Sequence, residues 1–304
     1  SGKEIDLRVS TMPTAFGEKI VMRIFTPEVL VRSFTDLGFS ETDRELWDKF
    51  ITAANGIILV TGPTGSGKTT TLYSTLRLLA KPEVNVCTIE DPIEMIEPLI
   101  NQMQVQSSIG VDFATGVRTL LRQDPDIIMV GEIRDKETAE MAVQAALTGH
   151  LVLSTLHTND APSAITRLLD LGVPGYLINS TLLGVVAQRL ARTLCPNCKK
   201  PDGDIDDSEW EALTRGFNIP RPQNVYRAVG CVDCRMTGYR GRVGLYEVME
   251  MAANVRLLTQ KHAEDYELRD EAYKHGMHPL RVSGALKIIE GVTTVEEVLK
   301  TVPL

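Results

Sequence analysis

The spacing of apolar and polar positions changes character several times along the chain. Ile5-Asp6-Leu7-Arg8-Val9-Ser10 alternates strictly, and Lys19-Ile20-Val21-Met22-Arg23-Ile24-Phe25 alternates less strictly. With Pro13 to Gly17 between them, they predict two strands and a turn. The alternation runs from the first residues, so an N-terminal domain is expected to have been removed, and Ser1-Gly2 reads as a cloning remnant. Pro27 to Phe34 reads as a linker. Ser40 opens a helix to about Ala54, and Ser40 with Asp43 is close to a capping box.

Beyond that point strands and helices take turns. Gly56-Ile57-Ile58-Leu59-Val60-Thr61 is an apolar strand, and Thr70 to Ala80 is a helix. Asn85 to Glu90 is a β-branched strand stopped by Asp91-Pro92, and its Cys87 reads as a small core residue. Asp112 caps a helix over Phe113 to Arg122, and Ile127 to Gly131 is the next strand. Asp135 caps Lys136 to Thr148, which Gly149 ends. Leu151 to Thr155 is again a strand, and Asp160 starts a helix ending at Gly172. Strands separated by helices of this length predict a parallel sheet covered on both faces, an α/β fold. Tyr176 to Thr193 reads as the last helix of this core. A polar segment from Cys195 to Cys234 follows, with a short acidic helix over Ser208 to Thr214. Beyond Gly244 the pattern is helical, and Thr294 to Glu297 forms a capping box.

Composition narrows the function classes. The 304 residues are 43% apolar and 24% charged, enough for a main domain and smaller ones. Aromatic content of 5% and a net charge of -8 argue against a single-strand or duplex nucleic-acid surface, so no direct nucleic-acid partner is expected. No apolar run is long enough for a membrane span. Four of the five cysteines stand as Cys195-x-x-Cys198 and Cys231-x-x-Cys234, the pattern of a metal site in a reducing compartment. Four thiolates suit tetrahedral Zn²⁺ in a structural role, although the 32 residues between the pairs exceed the usual ribbon spacing. A redox pair is the competing reading.

The most informative stretch is Gly62-Pro63-Thr64-Gly65-Ser66-Gly67-Lys68-Thr69, followed by Thr70. It fits the phosphate-loop pattern without mismatch, between a strand and a helix. Its glycines let backbone N–H groups turn toward an anion, and the helix adds the positive end of its dipole. Lys68 is expected on the β- and γ-phosphates of ATP, and Thr69 on Mg²⁺. Ligands of such sheets sit at the carboxyl ends of the strands, where three further loops emerge. Thr88 to Glu94 carries Glu90 and Glu94, either able to orient a water. Asp126 to Glu132 has the shape of a Walker B strand, with Glu132 on the Mg²⁺ side and Gly131 where many such motifs carry aspartate. His150 and His157 bracket the last strand; His157 is the candidate γ-phosphate sensor, and His150 is a second candidate for the same role. Arg8 and Arg23, on residues alone, read as a solvated face.

Four linked motifs in this order resemble the secretion and pilus assembly ATPases: the type II secretion traffic ATPase and its type IV pilus relatives. They are Gly62 to Thr69, Thr88 to Glu94, Leu121 to Asp135 and Thr148 to Asn159. The resemblance covers essentially the whole chain. It implies a RecA-like core over 35–194, a remnant of an N-terminal domain plus linker over 1–34, a zinc-binding tetracysteine insertion over 195–240 and a small helical C-terminal domain over 241–304. It implies that Glu94 is the catalytic glutamate and that Arg8 and Arg23 are arginine fingers acting across a subunit boundary. It further implies a homo-hexamer at the cytoplasmic side of the bacterial inner membrane, working with an inner-membrane platform protein and a cytoplasmic-domain recruiter. The expected function is ATP-driven assembly of a pseudopilus for type II secretion, with type IV pilus extension as the alternative. A DNA-uptake or conjugation motor and a non-hydrolysing nucleotide-binding scaffold are the more distant rivals.

Overall fold

The computed structural model describes residues 6–25 and 32–303. The two N-terminal runs form an antiparallel hairpin, β1 (Asp6–Thr14) and β2 (Gly17–Phe25), with Arg8 opposite Arg23 in the backbone register. The side chains of Arg8 and Arg23, and most of the expected linker, lie outside the described residues.

The rest is built on one seven-stranded sheet, and the caps anticipated above start its helices. A short helix α1 (Phe34–Leu37) and α2 (Glu41–Ile51) lead into β3 (Gly56–Thr61), all six residues of which are buried. Ser40 Oγ accepts the Asp43 N–H at 3.1 Å and caps α2. Then follow α3 (Lys68–Leu79), β4 (Val86–Glu90), β5 (Asn101–Gln104), α4 (Phe113–Leu120), β6 (Ile127–Val130), α5 (Lys136–Leu147), β7 (Leu151–Leu156) and α6 (Pro162–Asp170). Asp112 and Asp135 accept the N–H groups of Thr115 and Thr138 and cap α4 and α5. α5 turns Ala139, Ala142, Ala145 and Ala146 inward. Such small side chains let the helix lie close on the sheet.

The expected helix over Tyr176 to Thr193 is not one helix. It is α7 (Gly175–Thr181) followed by a strand, β8 (Leu182–Leu194). Leu182 to Ala187 is apolar without alternation, which suits a strand covered on both faces as well as a buried helix. Position 184 must also be glycine, since a Cβ there would meet Phe50 Cζ at 2.3 Å. β8 runs parallel to β3 and continues toward the first cysteine pair. After β9 (Lys200–Pro201), α8 (Asp207–Thr214) and β10 (Tyr226–Arg227), the chain returns as β11 (Tyr239–Glu250), antiparallel to β8. The strand order is β11-β8-β3-β7-β6-β4-β5. The segment after Gly244, expected to be helical, thus begins as an edge strand of the main sheet, and strand β11 crosses the boundary expected at 240/241. Helices follow only from α9 (Ala253–Gln260) through α10 (Asp265–Lys274) and α11 (Leu280–Ile289) to α12 (Val295–Thr301).

Two apolar clusters cover the sheet. Ile57, Leu59, Ile89 and Ile128 face α4 to α7, and Ile58, Val60 and Met129 face α1 to α3. A third cluster, with Trp210, Leu213, Leu245, Ile288 and Val298, joins α8, α11 and α12 to the sheet. Cys87 is buried in the first cluster, as expected of a core residue.

Candidate active site

β3, β7, β6 and β4 run parallel, so their carboxyl ends share one edge. The phosphate loop leaves β3 there and closes on α3, whose first residue is Lys68. Gly65 and Gly67 take φ of 80° and 93°, left-handed backbone that glycine adopts at least cost. A cavity of about 490 Å³ opens above the loop. Thr64 to Thr70, Glu90, Glu94, Glu132, Thr155, His157 and Arg242 are among its lining residues. Residues of all four motifs therefore converge at this edge.

Lys68 Nζ folds back to donate to the carbonyls of Gly62 at 2.7 Å and Pro63 at 3.2 Å. Burial pulls its pKa down to about 8; Arg189 adds to this, and Glu132 works against it. Bound phosphates favour the ammonium, so binding above pH 8 takes up a proton. ATP affinity is expected to be flat up to about pH 7.5 and to fall about tenfold by pH 9. Calorimetric titration across that range checks this, and an unchanged affinity at pH 9 would count against it. Among the described residues, Ser66 Oγ is buried and has no hydrogen-bond partner, a polar atom left for a ligand of the loop.

The carboxylates divide by environment. Glu90 is 4% exposed and takes hydrogen bonds from Tyr73 at 2.6 Å, Thr88 at 2.7 Å and Gln102 at 3.2 Å. Burial, reinforced by the neighbouring Glu90 carboxylate, raises the Tyr73 phenol far above its ordinary value and keeps it a donor. Glu90 therefore holds α3 against β4 and has little capacity left for a water. Glu94 is half-buried at the cavity and, among the described residues, has no hydrogen-bond or ion-pair partner. Glu132 is 14% exposed; one oxygen meets Arg134, and the other lies 3.3 Å from His157 Nε2. Thr69 and Glu132 offer the hard oxygen donors that Mg²⁺ prefers. At Gly131, a Cβ would stand 3.2 Å from the Ile89 carbonyl and 3.3 Å from Phe113, which leaves little room for the aspartate found in other such strands.

His150 does not join this site. It precedes β7, at the opposite end from His157, and its Nδ1 lies 2.8 Å from the Ala145 carbonyl at the end of α5. Arg134 and Arg242 reach the site without having been anticipated. Arg134 stands two residues beyond Glu132, close enough to have been suspected. Arg242 arrives on β11, which no sequence period places beside the phosphate loop.

Away from this edge, the four expected cysteines meet, their sulfurs all within 4.8 Å of one another. The Sγ pairs 195–231, 198–234 and 231–234 are 3.8, 3.9 and 3.7 Å apart. A tetrahedron with Zn–S bonds of about 2.3 Å has edges of about 3.8 Å, so the donor set fits zinc. Cys234 Sγ accepts the N–H groups of Cys231 and Gly238 at 3.1 and 3.2 Å. Burial opposes ionisation there, but these donors prevail and hold the Cys234 thiol below its ordinary value.

The family model for "Type II/IV secretion system protein" matches residues 1–300. The chain belongs to this family. A "Type IV pilus assembly ATPase TfpB" of Acinetobacter baylyi is 62% identical over 303 residues, covering 100% of this chain and 52% of its own length. "Type II secretion system protein E" of Pseudomonas aeruginosa is 50% identical over 299 residues, 98% of this chain and 59% of its own. "Type II secretion system ATPase E" of Vibrio cholerae is 47% identical over 300 residues, 98% of this chain and 59% of its own. The chain thus spans little more than half the length of these relatives. Among solved structures, "the Pilus Retraction Motor PilT and Bound ADP" matches with a TM-score of 0.71 at 27% identity, over 98% of this chain and 74% of that one. The Legionella pneumophila ATPase DotB matches with a TM-score of 0.70 over 98% of this chain and 73% of that one; at 24% identity it attests the fold alone. As a secretion-family member, the chain keeps the phosphate loop, the acidic strand ends and the tetracysteine cluster in one folded unit.

Proposed function

We propose that this secretion-family protein hydrolyses ATP and couples hydrolysis to assembly of a pilus-type fibre. The observation that carries hydrolysis is the cavity shared by Lys68, Thr69, Glu132 and Glu94, whose carboxylate no described residue engages. Lys68 and the loop amides hold the phosphates, Thr69 and Glu132 hold Mg²⁺, and Glu94 orients the attacking water. His157, against Glu132, senses the γ-phosphate. Mg²⁺ supplies charge neutralisation on the phosphate oxygens when bound. The tetracysteine module binds Zn²⁺ and stabilises the segment between β8 and β11.

The fibre is a pseudopilus for type II secretion, in keeping with the relatives from Pseudomonas and Vibrio. The Acinetobacter relative supports pilus extension as a second reading. The protein works as a homo-hexamer on the cytoplasmic side of the inner membrane, with a platform protein and a recruiter domain as partners. Among the described residues no helix is long and apolar enough to cross a membrane. The acidic balance of -8 disfavours the DNA-motor reading. The test is ATP turnover per protomer as a function of protein concentration. A rate that rises with concentration is expected of sites completed by a neighbour. A rate indistinguishable from that of Lys68→Ala at every concentration would favour the scaffold instead.

A further inference from the structure

The strand that sequence periodicity misread as a helix carries a buried side chain under the phosphate loop. Ala187 of β8 pairs with Thr61, so Gln188 stands beside Gly62, where the loop begins. Gln188 is 1% exposed, and both ends of its amide are engaged. Nε2 donates to the Ser66 carbonyl at 2.8 Å, and Oε1 accepts the Thr71 hydroxyl at 2.9 Å. A carbonyl can only accept, so these partners settle which way the amide faces. Its backbone carbonyl is held in turn by Arg189 Nη1 at 3.0 Å, while Arg189 Nη2 reaches the Asn159 carbonyl at 2.8 Å. The glycines above it are fitted to this residue. A Cβ on Gly62 would meet the Gln188 carbonyl at 2.5 Å, and one on Gly67 would meet Nε2 at 3.1 Å.

A trans peptide is planar, with its C=O and N–H directed oppositely. Tying the Ser66 carbonyl down to Gln188 therefore turns the Gly67 N–H the other way, toward the cavity that Gly67 lines. The same amide holds Thr71, in the first turn of α3, whose N-terminal residues line the cavity where an anion would sit. We propose that Gln188 is a positioning residue of the phosphate loop: its amide holds the Ser66–Gly67 peptide with the N–H facing a bound phosphate. It sets loop and helix at the spacing a phosphate requires. Gln188 touches no substrate and acts only through Ser66, Gly67 and Thr71. The inference rests on the loop binding ATP.

Gln188→Glu removes the donor and places a carboxylate oxygen against the Ser66 carbonyl. A protonated glutamic acid has the shape of glutamine and recovers a donor, so the defect should depend on pH in a way that mere loss of packing would not. ATP binding is measured calorimetrically for the variant and wild type from pH 6 to 8, with nucleotide-free melting as a check on folding. The expected result is at least about a tenfold loss of affinity relative to wild type at pH 8. That ratio should shrink toward pH 6. Gln188→Met, close in volume and without either hydrogen bond, should show a loss that does not vary with pH, and it carries the test should the glutamate variant not fold. A folded variant of either kind with wild-type affinity throughout would overturn the assignment. Wild-type protein that binds no ATP would instead overturn the nucleotide reading on which it stands.

Discussion

Glu94→Ala is expected to bind ATP about as tightly as wild type and to turn it over about 10²–10⁴-fold more slowly, the range for loss of a positioned acid–base group. The size of the effect follows from the other carboxylates being occupied. Glu90 is nearer the strand end in sequence, but Tyr73, Thr88 and Gln102 already hydrogen-bond to it and it is buried. Glu132 spends one oxygen on Arg134 and has His157 beside the other. Glu94 alone combines a place at the cavity with a carboxylate that no described residue engages. Binding should survive because, in the proposed function, Lys68 and the loop hold the phosphates, and among the described residues no hydrogen bond or ion pair ties either to Glu94. Single-turnover hydrolysis and equilibrium binding on the same preparation separate the two effects. Near-normal turnover by Glu94→Ala would sink the assignment, and loss of binding would move Glu94 to a structural role.

The contrast between Glu90 and Glu94 also marks where sequence stops being legible. Glu90 ends β4 and Glu94 stands four residues beyond it, and spacing alone leaves either one to orient water. Only packing shows that the phenol of Tyr73, one turn into α3, claims Glu90. The phosphate loop, β3, the capped helices and the cysteine cluster were all readable because each has a local cause: an apolar run, an Asx or Ser cap, a glycine at left-handed φ, a two-residue cysteine spacing. The β8–β11 pair was not. A strand buried on both faces loses its alternation, and pairing with a partner some fifty residues away leaves no local period. Arg242 reaches the site through that pairing, and Gln188 through the pairing of β8 with β3, so both stayed hidden. His150 misled for the opposite reason: it is adjacent to β7 in sequence but sits at the wrong end of a parallel strand, against Ala145.

Arg8→Ala and Arg23→Ala carry the largest expected loss, about 10³–10⁵-fold in turnover, the range for an arginine finger. The rationale is electrostatic. Charge that develops on the transferring phosphoryl needs cations, and Lys68 already spends hydrogen bonds on Gly62 and Pro63. Arg134 is committed to Glu132, which leaves Arg242 as a cation at the cavity beside whatever a second segment brings. Backbone register sets Arg8 opposite Arg23 on one hairpin, so one segment could deliver both. If the hairpin of one protomer completes the cavity of the next, the defect should be complementable. Arg8→Ala protein keeps an intact phosphate loop, and Lys68→Ala protein keeps an intact hairpin. Each alone should be nearly inactive, whereas a mixture should recover part of the wild-type rate at concentrations that favour assembly. High salt should weaken the recovery if association depends on exposed charges. A mixture no faster than the sum of its parts would place the arginines within their own protomer. Turnover near wild type in both single arginine variants would return them to the solvated face that their sequence neighbours first suggest.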